Sequence, residues 1–237
     1  MSYDYAGFQQ ALALEMIIPN ADVNNADFQA ILPTIIDEAE QRCYRDCDFL
    51  SQIIRNSSGT LTANSRTFNF PLTYVVPESI NVFWPVGTQT NRKQLVPVTR
   101  EFLDAIWGNE TAPTTPSIPD YYAMITDQQI IVGPPPDAAY TMEVIGTVRP
   151  TPLSASNPTT WLTLNVPDLF FNASMVFGVG YLKDYGAATD DPNAAGSWET
   201  LYQKTLMSAN TEENRRKYAS QAWTPKQISP FATPPRA

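Results

Sequence analysis

The chain has 237 residues, with 24 acidic and 15 basic side chains, a net charge of −9 and no histidine. Apolar residues make up 43% and charged residues 16%, so the chain can bury a core and is not intrinsically disordered. The lack of histidine removes the usual general base, metal ligand and pH switch, which argues against most hydrolase and metalloenzyme mechanisms.

The first fifth of the chain is predicted to be helical. Residues 3–18 read as a short helix, and from 28 to 48 apolar residues recur with a period of 3.6. Because proline breaks a helix interior, Pro33 is expected at the first position of the regular helix, after a lead-in turn. Cys43 and Cys47 lie one turn apart on this helix, a spacing that favours packed, reduced thiols over a disulfide.

The middle of the chain changes to a strand pattern. Between Leu50 and Pro158 lie 13 of the 21 prolines, and the apolar runs become short and β-branched. Thr99 is a plausible N-cap for one helical turn over 100–107. The predicted strands are 52–56, 65–70, 74–84, 93–98, 121–125, 129–132 and 140–148.

Helices return after residue 158. Pro167 suits the first position of a nearly all-apolar helix, Asp168 complements its dipole, and Gly186 is placed to end it. A second helix is expected from Asp191 to Lys217. The final segment, 219–237, has four prolines and no glycine, so it is predicted to be an extended tail with spaced apolar anchors at Trp223, Ile228 and Phe231.

These patterns predict an α+β fold: a helical bundle built from both chain ends, an inserted antiparallel β domain and an extended C-terminal tail. The apolar stripes of 28–48 and 167–185 need partners, and packing them together brings the two chain ends into one bundle. We therefore expect residues 1–50 and 159–218 to form the bundle, 51–158 the β domain, and 219–237 a docking tail.

Charge is distributed unevenly along the chain. Residues 1–50 carry 9 acidic and 2 basic side chains, whereas 211–237 carry 2 acidic and 5 basic ones. Because affinity for phosphate depends on Lys and Arg, this acidic body predicts weak binding of nucleic acid. No apolar run approaches the roughly 20 residues of a membrane span, and the N-terminus lacks signal-peptide features. We therefore expect no membrane partner.

Paired carboxylates are the one catalytic arrangement that the composition leaves open, because glycoside hydrolysis needs only two acids. Glu101 with Asp104, and Glu38 with Glu40, are the candidate pairs, although both suit solvated helix faces. One alternative function is therefore an acid-pair peptidoglycan hydrolase. The interpretation preferred here is that the chain is not an enzyme and has no catalytic, metal or cofactor site.

Tryptophans supply a second alternative. Trp84, Trp107 and Trp161 could stack on sugars, which would make the middle region a carbohydrate-binding β module, although tryptophan at such positions is more often core or interface. That function requires exposed, coplanar aromatic rings.

Several stretches in order carry a resemblance to a known family. Residues 28–42, FQAILPTIIDEAEQR, are similar to the "F…LP…I..AE.R" helix of head-to-tail adaptor proteins of short-tailed phages, also called tail tubular protein A or connector proteins. Residues 119–122 and 130–144 resemble the family's "P.YY…I.L.P.PD..Y" hairpin. Residues 150–154 then match its "P..LS" turn, ahead of the helix entered at 166–169.

The resemblance implies a structural virion protein of the phage neck or tail, made in the host cytoplasm. It would form a ring, with twelve copies expected, between the portal protein and the tail nozzle, and genomic DNA would pass through the ring without tight binding. The low charge, the aromatic content of 11% and the Pro-rich tail agree with a chain whose surface neighbours complete. The predicted partner-binding residues are Trp223, Ile228, Phe231, Arg215, Arg216 and Lys217.

Overall fold

The computed structural model describes residues 2–16, 18, 22–87, 91–108, 116–182 and 194–218. Within these ranges the chain is a mixed α+β structure with six α-helices and eight strands in two sheets. The helices are α1 (Tyr5–Glu15), α2 (Ala26–Asp46), α3 (Arg100–Trp107), α4 (Trp161–Asn165), α5 (Pro167–Leu182) and α6 (Ala194–Tyr218). The strands are β1 (Ile53–Thr60), β2 (Thr67–Asn69), β3 (Val76–Trp84), β4 (Asn91–Gln94), β5 (Val96–Pro97), β6 (Tyr121–Thr126), β7 (Gln129–Gly133) and β8 (Thr141–Thr147).

The prediction for the start of α2 was wrong. The helix begins at Ala26, and Pro33 lies inside it rather than at its first position. The side chain of Asn25 accepts hydrogen bonds from the amides of Asp27 and Phe28, both at 3.1 Å, and so caps the earlier start. Pro33 is exposed, whereas Phe28 and Leu32 are buried. Burying these two side chains, at about 2 kcal/mol each, offsets the roughly 3 kcal/mol cost of proline in a helix.

One apolar core joins helices from both parts of the chain. It contains side chains of α1, α2, α5 and α6, and the rings of Phe8 and Phe170 stack with centroids 4.5 Å apart. Cys43 and Cys47 are buried in this core as free thiols. That residues 1–50 and 159–218 form a bundle separate from a 51–158 domain remains a prediction.

The middle region contains two four-stranded sheets. Their strand orders are β1-β8-β3-β4 and β2-β7-β6-β5, and apolar residues from both sheets share one core. The expected wholly antiparallel pairing was wrong at one edge, because β5 runs parallel to β6. The 93–98 segment, predicted as one strand, divides between β4 in the first sheet and β5 in the second. The amide of Leu95, between them, donates to the carbonyl of Ile80, while Val96 donates to Asp120.

Helix α3 lies on the second sheet where glycine permits a close approach. A Cβ on Gly133 would lie 2.7 Å from side-chain atoms of both Leu103 and Trp107, so a larger residue there would displace the helix. Arg66 is buried and directly precedes β2, and its guanidinium donates to the carbonyls of Trp107 and Val132. These contacts tie the last turn of α3 to the sheet.

Helix α4 was not predicted. It begins with a reciprocal cap, in which the amide of Thr160 donates to Thr163 Oγ1 at 2.9 Å and the amide of Thr163 donates back to Thr160 Oγ1 at 3.4 Å. The sequence pattern that predicts such a cap has Glu or Gln at the third helical position. Because threonine occupies that position in α4, the pattern did not predict the helix. The expected helix end at Gly186, the helix start at Asp191 and the tail 219–237 lie outside the described residues.

Candidate partner-binding surfaces

The last turns of α6 are attached to the segment that links α2 to β1. Lys217 Nζ lies 2.5 Å from Asp48 Oδ2, and the buried Glu213 accepts a hydrogen bond of 2.7 Å from the amide of Leu50. The predicted docking cation Lys217 therefore has a partner within its own chain. These bonds fix the position of the last described turn of α6.

The other two cations predicted to bind partners differ from each other. Arg216 lies 3.2 Å from Glu212 and 5.2 Å above the ring centroid of Trp161, so it too has partners in its own chain. Arg215 is exposed and, with Met207, lines a shallow groove on α6. The aromatic and aliphatic anchors predicted for the tail, at 223, 228 and 231, lie outside the described residues.

A charged cluster holds α6 against α2. The guanidinium of Arg42 donates to both carboxylate oxygens of Glu199, at 2.8 and 2.6 Å, and lies 4.0 Å from the ring centroid of Tyr202. The hydroxyl of Tyr202 donates to Asp46 at 2.8 Å. Hydrogen bonding from Arg42 holds the pKa of Glu199 below its ordinary value. These contacts fix the packing of α6 on α2.

An exposed apolar surface lies on α3 and the neighbouring β5. Val96, Phe102 and Ile106 are 53, 43 and 52% exposed, and the Phe102 ring packs edge-on against Tyr121 at 5.9 Å. Such exposure of three neighbouring apolar residues is typical of a protein interface. The sequence carried a signal for this surface, because Phe102 and Ile106 stand four residues apart on one face of a helix.

A groove lies between the N-terminal segment, the α4–α5 junction and α6. Its volume is about 770 Å³. The rings of Tyr3 and Phe171, 6.3 Å apart, form one wall, and Leu164 is 54% exposed within it. Asp168 and Glu212 supply two carboxylates. The groove therefore combines apolar contact area with negative charge.

A row of polar residues crosses the outer face of the first sheet. The fully buried Glu143 on β8 accepts from Asn81 at 3.1 Å and pairs with Arg92 at 2.5 Å and with Arg55. The side chains of Arg55 and Arg92 are 64 and 48% exposed. The row therefore exposes two positive groups held in place by one buried carboxylate.

One member of each candidate acid pair, Asp104 and Glu40, is engaged in other contacts, whereas Glu101 is exposed. Asp104 pairs with Arg100 at 3.4 Å and with Arg66 at 3.5 Å. Glu40 is buried and accepts a hydrogen bond of 3.1 Å from the amide of Leu153, while Glu38 is exposed. Burial raises the pKa of Glu40 to about 7. Glu38 and Glu40 therefore occupy different environments and do not share a cleft.

The tryptophans considered for sugar stacking also have packing roles. Trp84 packs against the core between the two sheets, and Trp161 packs on the helical core with its ring 4.7 Å from that of Phe49. Trp107 stacks on Tyr121 at 6.2 Å. These contacts do not form the shared exposed platform that a carbohydrate-binding surface requires.

The described residues contain neither a metal-binding cluster nor a membrane-spanning helix. No group of three or more metal-ligating side chains occurs in them. Nor do the described helices include one with the length and apolarity needed to cross a membrane.

Comparison with known proteins identifies the family. A family model described as SU10 adaptor protein matches residues 3–226, a range that includes every helix and strand described above. No curated protein matches the sequence significantly. The resemblance to phage adaptor proteins, inferred from the motifs, is confirmed.

Proposed function

This chain belongs to the SU10 adaptor protein family, a family of structural phage adaptors, and from that premise we propose that it forms a ring between portal and tail nozzle. In this proposal twelve copies surround a passage for genomic DNA. The protein acts as a structural virion component of the neck, without a cofactor or catalytic site.

The observation that carries the proposal is the family match over residues 3–226. Because it includes both the helical elements and the two sheets, it concerns the whole described architecture rather than one shared motif. An adaptor joins two different structures, so it needs separate surfaces for the proteins on either side and for neighbouring copies of itself.

The exposed apolar residues support assembly with neighbours. The surface formed by Val96, Phe102 and Ile106 lies on α3 and β5, whereas Leu14 on α1 and Met207 on α6 are 67 and 70% exposed at other positions. A ring uses head-to-tail contacts, in which two different patches of each copy meet. Apolar residues on several elements agree with such contacts better than with one isologous dimer patch.

The charge distribution supports a passage that does not bind DNA tightly. Each copy contributes a net charge of −9. Like charge between an acidic lumen and DNA prevents adhesion, so DNA would slide while hydrated. The basic C-terminal region, with five cations and two acids over 211–237, would instead contact proteins.

Native mass spectrometry with and without the cognate portal tests the ring. We expect a portal-dependent complex that contains a whole ring of adaptor copies. A complex with a single adaptor bound per portal, or none at any ratio, would contradict the proposal. The copy number read from the same spectrum decides whether it is twelve.

The predicted docking role of the tail needs a separate test on the full-length chain. We propose replacing Trp223, Ile228 and Phe231 together by alanine, because large apolar side chains on a Pro-rich segment suit pockets on a partner. Attachment to portal-containing particles should be lost while the circular dichroism spectrum and melting temperature stay unchanged. A matched variant with Gln227→Ala and Thr233→Ala should attach normally. Normal attachment of the triple variant would assign the portal contact to the body instead.

A further inference from the structure

The groove between the N-terminal segment, the α4–α5 junction and α6 has a chemical character that favours one kind of occupant. Tyr3, Leu164 and Phe171 offer apolar contact, and Asp168 and Glu212 add negative charge. Within the part of the chain that the structure describes, Asp168 has no ion-pair partner, and Glu212 pairs only with Arg216. A basic, aromatic and extended peptide would satisfy both properties.

The tail of the same chain has this composition. Residues 219–237 contain Lys226 and Arg236 and no acidic residue, together with Trp223 and four prolines. Proline-rich segments lose little conformational entropy when they bind in an extended form. The tail is thus complementary to the groove in charge and apolar content.

The end of α6, from which the tail starts, lies close to the groove. Glu212, which lines the groove, precedes Tyr218 by six residues on α6, which is about 9 Å along a helix. Trp223 follows Tyr218 by five residues, which can span about 16 Å when extended. With a reversal of direction after the helix, this length of chain is sufficient for Trp223 to reach the groove.

We propose that the groove formed by Tyr3, Leu164, Asp168, Phe171 and Glu212 holds the tail of the same copy before assembly. A tether of this length gives a local concentration in the millimolar range, so even a weak contact is populated. Given the portal-docking role proposed above, binding to the portal would then release the tail from the groove. Each copy would thereby keep its apolar anchors covered until its partner is present.

Cross-linking of cysteine pairs in the full-length protein tests this proposal. The native thiols do not interfere, since Cys43 and Cys47 are buried. Thr224→Cys in the tail is combined with Asn165→Cys at the groove and treated with a short bis-maleimide. The matched control combines Thr224→Cys with Asn214→Cys, which is exposed and nearer to the tail in sequence but stands two residues from Glu212, on a different side of α6.

A tail held in the groove should cross-link within one copy to position 165 at least severalfold faster than to position 214. Lys226→Glu should reduce the rate at position 165 severalfold at low salt, and Lys226→Arg should preserve it. Equal rates at the two positions, or products that join two copies, would overturn the proposal. The portal-attachment assay of the alanine triple variant is independent of this result, so failure of the groove contact and failure of the docking role are distinguishable.

Discussion

Replacing Glu40 by glutamine should remove a pH dependence of stability that the natural chain carries. Burial is the main cause that raises the pKa of this carboxyl to about 7. The hydrogen bond from the Leu153 amide lowers the pKa, and the negative charge of Asp37 raises it further. The difference from the ordinary value of 4.5 corresponds to about 3 kcal/mol. The pKa of Glu40 is higher in the folded state than in the unfolded state, so protonation of this carboxyl stabilises the fold. This contribution to the free energy of unfolding is fully present below about pH 4.5 and is lost as the pH rises through about 7.

The glutamine variant keeps an oxygen that can accept from the Leu153 amide, but it cannot ionise. We expect its free energy of unfolding to exceed that of the natural chain by about 1–3 kcal/mol at pH 8, and the difference to shrink towards pH 5. Chemical denaturation at pH 5, 6, 7 and 8 measures this directly, and the absence of histidine leaves few other groups titrating in that window. The exposed Glu38→Gln variant alters net charge equally and should leave the slope unchanged. An unaltered slope in Glu40→Gln would refute the reasoning.

Three further predictions concern the helical core and DNA. Ile35→Asp should unfold the protein or lower its free energy of unfolding by more than about 4 kcal/mol, because it buries an unpaired charge. In the same thermal melts, Thr34→Asp at the exposed neighbouring position should lower the free energy of unfolding by less than about 1 kcal/mol. Arg42→Ala should lower the free energy of unfolding by about 1–3 kcal/mol, because it removes the ion pair with Glu199 and the contact with the Tyr202 ring. A double-mutant cycle with Glu199→Gln should show a coupling energy of at least about 0.5 kcal/mol. Additive effects of the two substitutions would mean that the α2–α6 ion pair contributes nothing to stability. Duplex DNA should bind weakly or not at all at physiological salt, and a submicromolar dissociation constant in a gel-shift assay would contradict the acidic-passage argument.

The sequence by itself determined the order and type of most elements. The helix over Arg100–Trp107 was predicted with its bounds and its Thr99 cap, because capping chemistry is local. Apart from the 93–98 segment, the predicted strands were located to within a few residues, since short β-branched runs bounded by prolines depend only on neighbours in the chain. The family motifs were also readable, because each is a contiguous stretch.

The tertiary structure decided what depends on residues distant in sequence. Pro33 is tolerated within α2 because burial of Phe28 and Leu32 outweighs its local cost. The parallel β5–β6 pair and the division of the 93–98 segment between two sheets follow from which strands meet, and no local pattern encodes that choice. The pKa of Glu40 likewise could not be predicted from the sequence. It depends on burial in the folded protein and on a hydrogen bond from Leu153, more than a hundred residues away, and the spacing of residues along one helix reveals neither.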